Sequence, residues 1–105
     1  MKMYNDVFEF FDDMGIKISK EEKVYVSALA QIGAQLMAYR KQNKLSQTAL
    51  AKKIGVSQAM ISAIERGDKN VSVKVLAKIV SKLGGELKID LGILDRNSYF
   101  NRYVE

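Results

Sequence analysis

The first apolar residues of the chain recur at intervals of three and four, a spacing typical of one face of a helix. They predict a short amphipathic helix over residues 4–14, which Gly15 is placed to end. Its apolar stripe is Tyr4, Val7, Phe8, Phe11 and Met14. Acidic residues line the rest of this helix, so one side is aromatic and the other is negatively charged.

A second, longer helix is indicated from Ser19 to about Asn43. Ser19 followed by Glu22 fits a capping box, which satisfies the free backbone donors at a helix start. The apolar residues that can share one broad face are Val24, Ala28, Leu29, Ile32, Leu36 and Tyr39. Gly33 is a candidate for a bend or an interruption of this helix.

Two shorter amphipathic segments make up the stretch LSQTALAKKIGVSQAMISAIERG. Ser46 is a good N-cap for the first, and Gly55 supplies the positive φ that a sharp turn between helices requires. The inward face of the first segment is Ala49, Leu50 and Ile54. Ser57 caps the second segment, in which Ile61 and Ile64 are placed as buried anchors.

The other side of the second segment has little to bury. Its residues are small or carry an amide: Gln58, Ala59, Ser62 and Ala63. Such side chains suit close approach to the edges of DNA bases, since glutamine can form two hydrogen bonds with adenine and alanine can touch the methyl group of thymine. This flat side is therefore a candidate binding surface.

The pattern changes period at Gly84–Gly85. Before this pair, the spacing predicts a helix with the inward face Val73, Leu76, Ile79, Val80 and Leu83. After it, Leu87, Ile89 and Leu91 alternate with charged residues, which predicts a half-buried β-strand. A lone strand has unpaired edges, so we expect it to pair with the same strand of a second copy across a dimer axis. An extended tail laid over its own domain is the alternative.

Composition narrows the functions open to the chain. Its 105 residues suffice for one domain, and Cys and His are absent. This removes disulfides, thiolate and imidazole metal ligands, a thiol nucleophile and a histidine base. The acidic pairs Asp12–Asp13 and Glu21–Glu22 do not converge on one site, because neighbouring residues on a helix point apart. We therefore predict no enzyme activity, no metal and no cofactor.

No membrane partner is predicted either. The longest mainly apolar run is interrupted by Gln31 and Gln35 and is too short to span a bilayer. The N-terminus also lacks a basic start followed by an apolar core. We expect a cytoplasmic protein.

The formal net charge of +5 is concentrated in the middle of the chain. Residues 1–39 hold four Lys against six acidic residues, whereas residues 40–88 hold eleven Lys and Arg against three acidic residues. A segment with this excess should attract a polyanion, and nucleic acid before a membrane surface. A basic surface that only keeps the protein soluble is the alternative.

The stretch LSQTALAKKIGVSQAMISAIERG, followed by DKNVSVKVLAKIVSKLG, resembles the helix-turn-helix of the Xre family, the Cro and CI repressor type. The resemblance covers about residues 26–84 and implies an all-α, five-helix lambda-repressor-like domain over residues 25–84. Residues 1–24 would then be an N-terminal helical extension, and residues 85–105 a C-terminal strand and tail. A plain αα-hairpin is the alternative for the two short helices alone.

The resemblance also implies roles for individual residues. Gln47 matches a position that bonds a phosphate and braces Gln58, which matches a base-reading position. Arg40 and Glu65 match an ion pair that links the first helix of the family domain to the end of the recognition helix; two solvated charges are the alternative. The residues expected to contact DNA are Lys44, Gln47, Ser57, Gln58, Ala59, Ser62, Ala63, Arg66, Lys69, Asn70 and Ser72. Further lysines expected near phosphates are Lys41, Lys52 and Lys53.

The resemblance implies a repressor that binds a double-stranded DNA operator. A homodimer formed through the predicted strand would place two recognition helices about one DNA turn apart, so we expect a palindromic operator. The N-terminal extension and the C-terminal strand look similar to those of HigA or HipB antitoxins, which bind a toxin and repress their own operon. In that case Tyr4, Phe8 and Phe11 are candidate contacts with a small basic toxin, unless they fold back and cap the long helix. A stand-alone phage-type or prophage-type regulator without a toxin is the alternative function.

Overall fold

The structure is a computed structural model that describes residues 3–95. This part of the chain contains five helices and no β-strand. The helices are α1 (Val7–Asp13), α2 (Lys20–Gln42), α3 (Gln47–Ile54), α4 (Gln58–Glu65) and α5 (Val73–Lys82). The all-helical architecture predicted from the sequence is confirmed. The five helices predicted for residues 25–84 are not: four helices, α2 to α5, make up the helix-turn-helix region, and the fifth, α1, precedes them.

Each helix begins at a side-chain cap. The capping oxygen accepts a hydrogen bond of 2.9–3.1 Å from the backbone N–H three residues later. The capping residues are Asp6, Ser19, Ser46, Ser57 and Ser72. Because each cap satisfies a backbone donor that the helix itself leaves free, the chain marks its own helix starts locally. The start of α1 at Val7 is later than predicted, since Asp6 is its cap.

The core lies between α3 and α4. Leu50, Ile54, Ile61 and Ile64 are at most 1 % exposed. The C-terminal half of α2 and the inner face of α5 close this core with Leu36 and Ile79. At about 25 cal/mol per Å² of apolar surface, these side chains supply most of the stabilisation of the helix-turn-helix unit.

Two predicted core positions are wrong by a small rotation of a helix. In α3 the buried alanine is Ala51, at 3 % exposure, and Ala49 is only half-buried. In α5 Val73 is 60 % exposed, because the buried face runs through Val75 and Ile79 at i, i+4 spacing.

Gly33 neither bends nor interrupts α2, which is continuous from Lys20 to Gln42. A Cβ placed on Gly33 would lie 2.5 Å from the carbonyl oxygen of Ile64 and 2.8 Å from that of Glu65. The missing side chain therefore lets the C-terminal end of α4 pack directly against the backbone of α2. This contact sets the position of α4 relative to the rest of the domain.

The N-terminal part of the chain lies outside the core. Helix α1 has no buried residue, and Val24, predicted on the buried face of α2, is 65 % exposed. Lys23 contacts α1: its Nζ lies 3.8 Å from a carboxylate oxygen of Asp12 and 5.7 Å from the centroid of the Phe8 ring. The apolar face of α2 thus begins to pack only from Leu29 onward.

Residues 86–95 form neither a helix nor a paired strand. The β-strand predicted for Leu87, Ile89 and Leu91 is not present in the single chain, and its pairing across a dimer is not shown. A strand exists only by hydrogen bonding to a neighbouring strand, and no strand is assigned anywhere in residues 3–95. Residues 96–105, the rest of the predicted tail, lie outside the described residues.

Candidate nucleic-acid interface

One side of helix α4 is buried in the core, and the first turn of its other side is exposed to solvent. Ile61 and Ile64 face the core, whereas Gln58 and Ala59 are exposed in the first turn. Ser62 and Ala63, one turn further on, are half-buried. The exposed first turn therefore consists of an amide and a methyl group on a helix fixed from behind by its apolar side.

A network of side-chain hydrogen bonds connects the interior of the domain to Gln58. The Arg40 guanidinium donates from Nε to Glu65 Oε2 at 2.8 Å and from Nη2 to Glu65 Oε1 at 3.0 Å. Gln47 Nε2 donates to Glu65 Oε1 at 3.2 Å. Gln58 Nε2 in turn donates to Gln47 Oε1 at 2.7 Å. The four residues join α2, α3 and α4 by side chains alone.

The inner end of this network, formed by Glu65 and Arg40, is buried and charged. The Glu65 side chain is 1 % exposed and that of Arg40 is 16 % exposed. The hydrogen bond from Arg40 lowers the pKa of Glu65 below its usual value, and the bond from Gln47 adds to this although burial acts in the opposite direction. The same carboxylate raises the pKa of Arg40. Arg40 also donates to the carbonyl of Leu45 at 3.1 Å, which ties the pair to the turn before α3.

The family resemblance predicted Arg40 beside Glu65 and Gln47 beside Gln58, but it did not predict the bond between Gln47 and Glu65. These two residues are 18 positions apart and lie on different helices. No periodicity or capping pattern reports such a contact, because it depends on how α3 crosses α4. It converts two separate pairs into one connected network.

Arg66 is engaged within the chain rather than free. Its Nε donates to Asp68 Oδ2 at 2.8 Å, and its Nη1 donates to the hydroxyl of Ser62. Both Arg66 and Ser62 are expected to contact DNA, and the structure brings them together. A phosphate near Arg66 would have to compete with the Asp68 carboxylate, which is 60 % exposed.

The other expected contacts surround α4. Lys69 and Asn70 are exposed in the connection between α4 and α5, and Lys44 is exposed before α3 in a left-handed conformation, with φ 54°. Ser57 and Ser72 use their oxygens as helix caps, which leaves each hydroxyl hydrogen free to be donated. Further lysines at exposed positions are Lys41, Lys52 and Lys53.

The ammonium of Lys53 already has a partner. It donates to the Tyr39 hydroxyl at 2.8 Å and lies 5.4 Å from the centroid of the same ring. Any phosphate contact made by Lys53 therefore competes with this interaction.

The arrangement of two short helices, a glycine turn with φ 87° at Gly55 and an exposed second helix agrees with the family comparison. The helix-turn-helix family HTH_3 matches residues 36–89, which is more than half of the chain. The chain belongs to the HTH_3 family. The match runs from the C-terminal part of α2 through α5 and includes every residue of the core cluster.

Two curated relatives share the HTH_3 region. The chain is 37% identical over 62 residues to the antitoxin HipB of Escherichia coli, covering 59% of this chain and 64% of HipB. It is 41% identical over 54 residues to an uncharacterized HTH-type transcriptional regulator of Methanocaldococcus jannaschii, covering 51% of this chain and 82% of that protein. The chain thus spans somewhat less than two thirds of HipB.

A solved HTH_3 structure resembles this fold. The crystal structure of an HTH_3 family transcriptional regulator from Vibrio cholerae matches with a TM-score of 0.56 and 40% sequence identity, over 59% of this chain and 35% of the other. Family and fold are those of DNA-binding regulators and not of enzymes.

Residues 3–95 hold neither a cluster of metal-ligating side chains nor a helix that could span a membrane. That part of the chain holds no group of three or more carboxylates, histidines or cysteines placed to bind a metal ion. Among its helices, none is both long and apolar enough to cross a membrane.

Proposed function

We propose that this chain is a sequence-specific DNA-binding repressor that reads the major groove with the exposed first turn of α4. The observation that carries the proposal is the network that holds Gln58 in a defined position on that turn. A base-reading side chain that is already placed avoids the conformational entropy cost of being ordered on binding.

The surroundings of α4 support the phosphate contacts that such a protein needs. Lys44 lies before α3, and Lys69 and Asn70 lie after α4, so exposed donors flank the reading helix on both sides in sequence. Phosphate contacts fix the orientation of a protein on the duplex, whereas base contacts give the specificity. The excess of basic residues in the middle of the chain agrees with this division.

The experiment is selection of bound duplexes from a random pool by the full chain, followed by affinity measurements at several salt concentrations. We expect an enriched sequence bound at least a thousandfold more tightly than random DNA. Equal affinity for the enriched and random duplexes would overturn sequence-specific reading.

We also propose that the protein binds its operator as a homodimer and that the site is palindromic. Residues 86–91 present Ile89 and Leu91 at 50 % and 76 % exposure, and they border an open groove of about 990 Å³ between α2 and α5. Exposed apolar groups beside an apolar groove are typical of an unfilled interface. A second copy would cover them by pairing the two 86–91 segments as antiparallel strands.

As a second role, we propose that the protein is the antitoxin of a toxin–antitoxin pair. Two observations favour it over a stand-alone regulator of the phage or prophage type: the similarity to HipB, and the unburied helix α1. The rings of Phe8 and Phe11 are half-buried, and the acidic residues around them suit a basic partner.

The test is co-expression with the product of the neighbouring gene, using growth as the readout. We expect the full chain to relieve growth arrest, and the variant Phe8→Ser with Phe11→Ser to fail while still binding the operator. A Val7→Ser control removes an apolar group that is already 51 % exposed and should still relieve the arrest. Growth arrest unaffected by the full chain would leave only the stand-alone regulator.

A further inference from the structure

We infer that Glu65 determines which base Gln58 reads, because it fixes the orientation of the Gln58 amide through Gln47. The inference rests on the proposed function, since it assumes that Gln58 contacts a base. It assigns to a buried carboxylate, remote from the DNA, the role of a specificity-determining positioning residue.

The direction of every bond in the network follows from the chemistry of its inner end. An ionised carboxylate has no hydrogen and can only accept hydrogen bonds. Both oxygens of Glu65 accept from Arg40, and the lowered pKa keeps the group ionised at neutral pH. Gln47 must therefore turn its NH₂ group, and not its carbonyl, toward Glu65.

The same constraint passes to the next residue. With its NH₂ group directed at Glu65, Gln47 presents its carbonyl oxygen to Gln58. Gln58 must therefore donate a hydrogen bond to that oxygen, and its Nε2 does so at 2.7 Å. The orientation of an exposed amide, which in isolation is free to rotate by half a turn, is thereby set by a group that is 1 % exposed.

The fixed orientation selects a base. One N–H of Gln58 is used by Gln47, which leaves one N–H and the carbonyl oxygen for the DNA. This donor and acceptor match the N7 acceptor and the N6 donor of adenine. Guanine presents two acceptors, N7 and O6, and would require both N–H groups. If the network ran in the opposite direction, the Gln58 carbonyl would be used internally and guanine would be matched instead.

The position of Glu65 keeps the hydrogen bonds of the network from reversing their direction. Glu65 is held by two hydrogen bonds from Arg40, and α4 is pressed against α2 at Gly33, directly beside the carbonyl of Glu65. Turning the carboxylate away from Gln47 would break its hydrogen bonds with Arg40. The polarity is thus a property of the folded domain and not of Gln58 itself.

The experiment uses the full chain and four duplexes that differ only at the base pair read by Gln58. That pair is identified as the one where Gln58→Ala abolishes the preference. We expect the unmodified protein to favour adenine over guanine about tenfold, since a good two-bond contact is worth about 1–3 kcal/mol and 1.4 kcal/mol is a factor of ten. Gln47→Ala, which leaves the Arg40–Glu65 pair intact, should reduce the preference to less than about threefold.

Replacing Gln47 by a residue that only donates gives the sharpest result. In Gln47→Lys the ammonium can bond Glu65 and also the Gln58 carbonyl, which frees both N–H groups of Gln58. We expect the preference to change from adenine to guanine. The exposed neighbour Thr48 supplies the control, because Thr48→Lys adds the same charge outside the network and should raise affinity for all four duplexes alike.

The outcomes separate this inference from the proposed function. Loss of a Gln47 phosphate contact would weaken all four duplexes equally and would leave their ratio unchanged. A full adenine preference in Gln47→Ala, together with adenine preference in Gln47→Lys, would overturn the role of Glu65 while leaving base reading by Gln58 intact. If Gln58→Ala alters the base preference at none of the base pairs, the proposed function itself is overturned. Melting temperatures within a few degrees of the unmodified protein show that the ratios report orientation and not unfolding.

Discussion

At the scale of residues, one buried acid joins an ion pair to the exposed first turn of α4. Glu65 is paired with Arg40, and Gln47 bonds the same carboxylate before it reaches Gln58. A buried ion pair of this kind adds little net stability, because the two charges lose their hydration, but removal of one partner is costly. Its value to the protein is that it fixes a geometry.

Gln58→Ala should lower the affinity for the specific operator by about 1 to 3 kcal/mol and hardly change binding to random DNA. The substitution removes base contacts and leaves the phosphate contacts in place. Fluorescence anisotropy with operator and random duplexes measures both. Lys69→Ala is the complementary variant: it should weaken both complexes and make the salt dependence shallower by about one unit of slope. Equal losses on the two duplexes for Gln58→Ala would exclude a base contact.

The ion pair should also make stability depend on acid. The pKa of Glu65 is lowered in the folded chain, so its contribution is complete above its ordinary value of about 4.5 and is lost as the pH falls through the folded pKa. Urea unfolding at a series of pH values should therefore show the free energy of unfolding declining below about pH 4.5. The control is Arg40→Met with Glu65→Met, in which this part of the decline should disappear. An identical decline in both proteins would assign it to other carboxylates.

At the scale of elements, the parts that could be predicted are those with local causes. The caps Ser19, Ser46 and Ser57 each act on a backbone N–H three residues away, and Gly55 needs only its own φ. The sequence pattern therefore located the helices. The errors at Val24, Ala49 and Val73 concern which side of a helix is buried, and this depends on neighbouring helices that periodicity does not specify.

The misinterpretation of Gly33 has the same origin. A glycine inside a helix suggests a weak point when only its own segment is considered. Its actual role depends on the carbonyl groups of Ile64 and Glu65, about thirty positions away in sequence. The same holds for the bond between Gln47 and Glu65: two pairs of the network were predicted, whereas the contact that connects the pairs was not.

Gly33→Ala should destabilise the fold by about 1–3 kcal/mol, because the added Cβ forces α4 away from α2. Helix propensity alone has the opposite sign and would stabilise by about 0.5–1 kcal/mol. Thermal and urea unfolding distinguish the two effects by the sign of the change. Gly85→Ala is a suitable control, since its Cβ would meet the nearest atom, of Val80, at 3.4 Å. A more stable Gly33→Ala protein would show that α2 and α4 can separate freely.

At the scale of the whole molecule, one chain leaves apolar surface uncovered at its C-terminal side. Leu91 and Ile93 are 76 % and 78 % exposed, and Leu91 lines the groove between α2 and α5. Alternation of apolar and charged residues predicted a strand here, and the single chain does not form one. In the proposed homodimer a second copy covers this surface, and the sequence of one chain specifies such a contact only indirectly.

Substitution of Ile89 tests whether this surface is the dimer interface. Ile89→Lys places a charge on the apolar side of the proposed strand pair, while the helical core, which Ile89 does not enter, is retained. We expect a folded protein with a sedimentation mass near 11.8 kDa, against about twice that for the unmodified chain. The variant should bind a half-site weakly and lose the gain from a second half-site.

Asp90→Lys is the matched control for Ile89→Lys, because it introduces the same side chain one residue later, on the opposite side of an extended segment. It should remain a dimer and bind the full palindrome. A dimer of unchanged mass for Ile89→Lys would place the interface elsewhere, whereas monomers for both variants would show that added positive charge, and not the apolar side of the segment, separates the two copies.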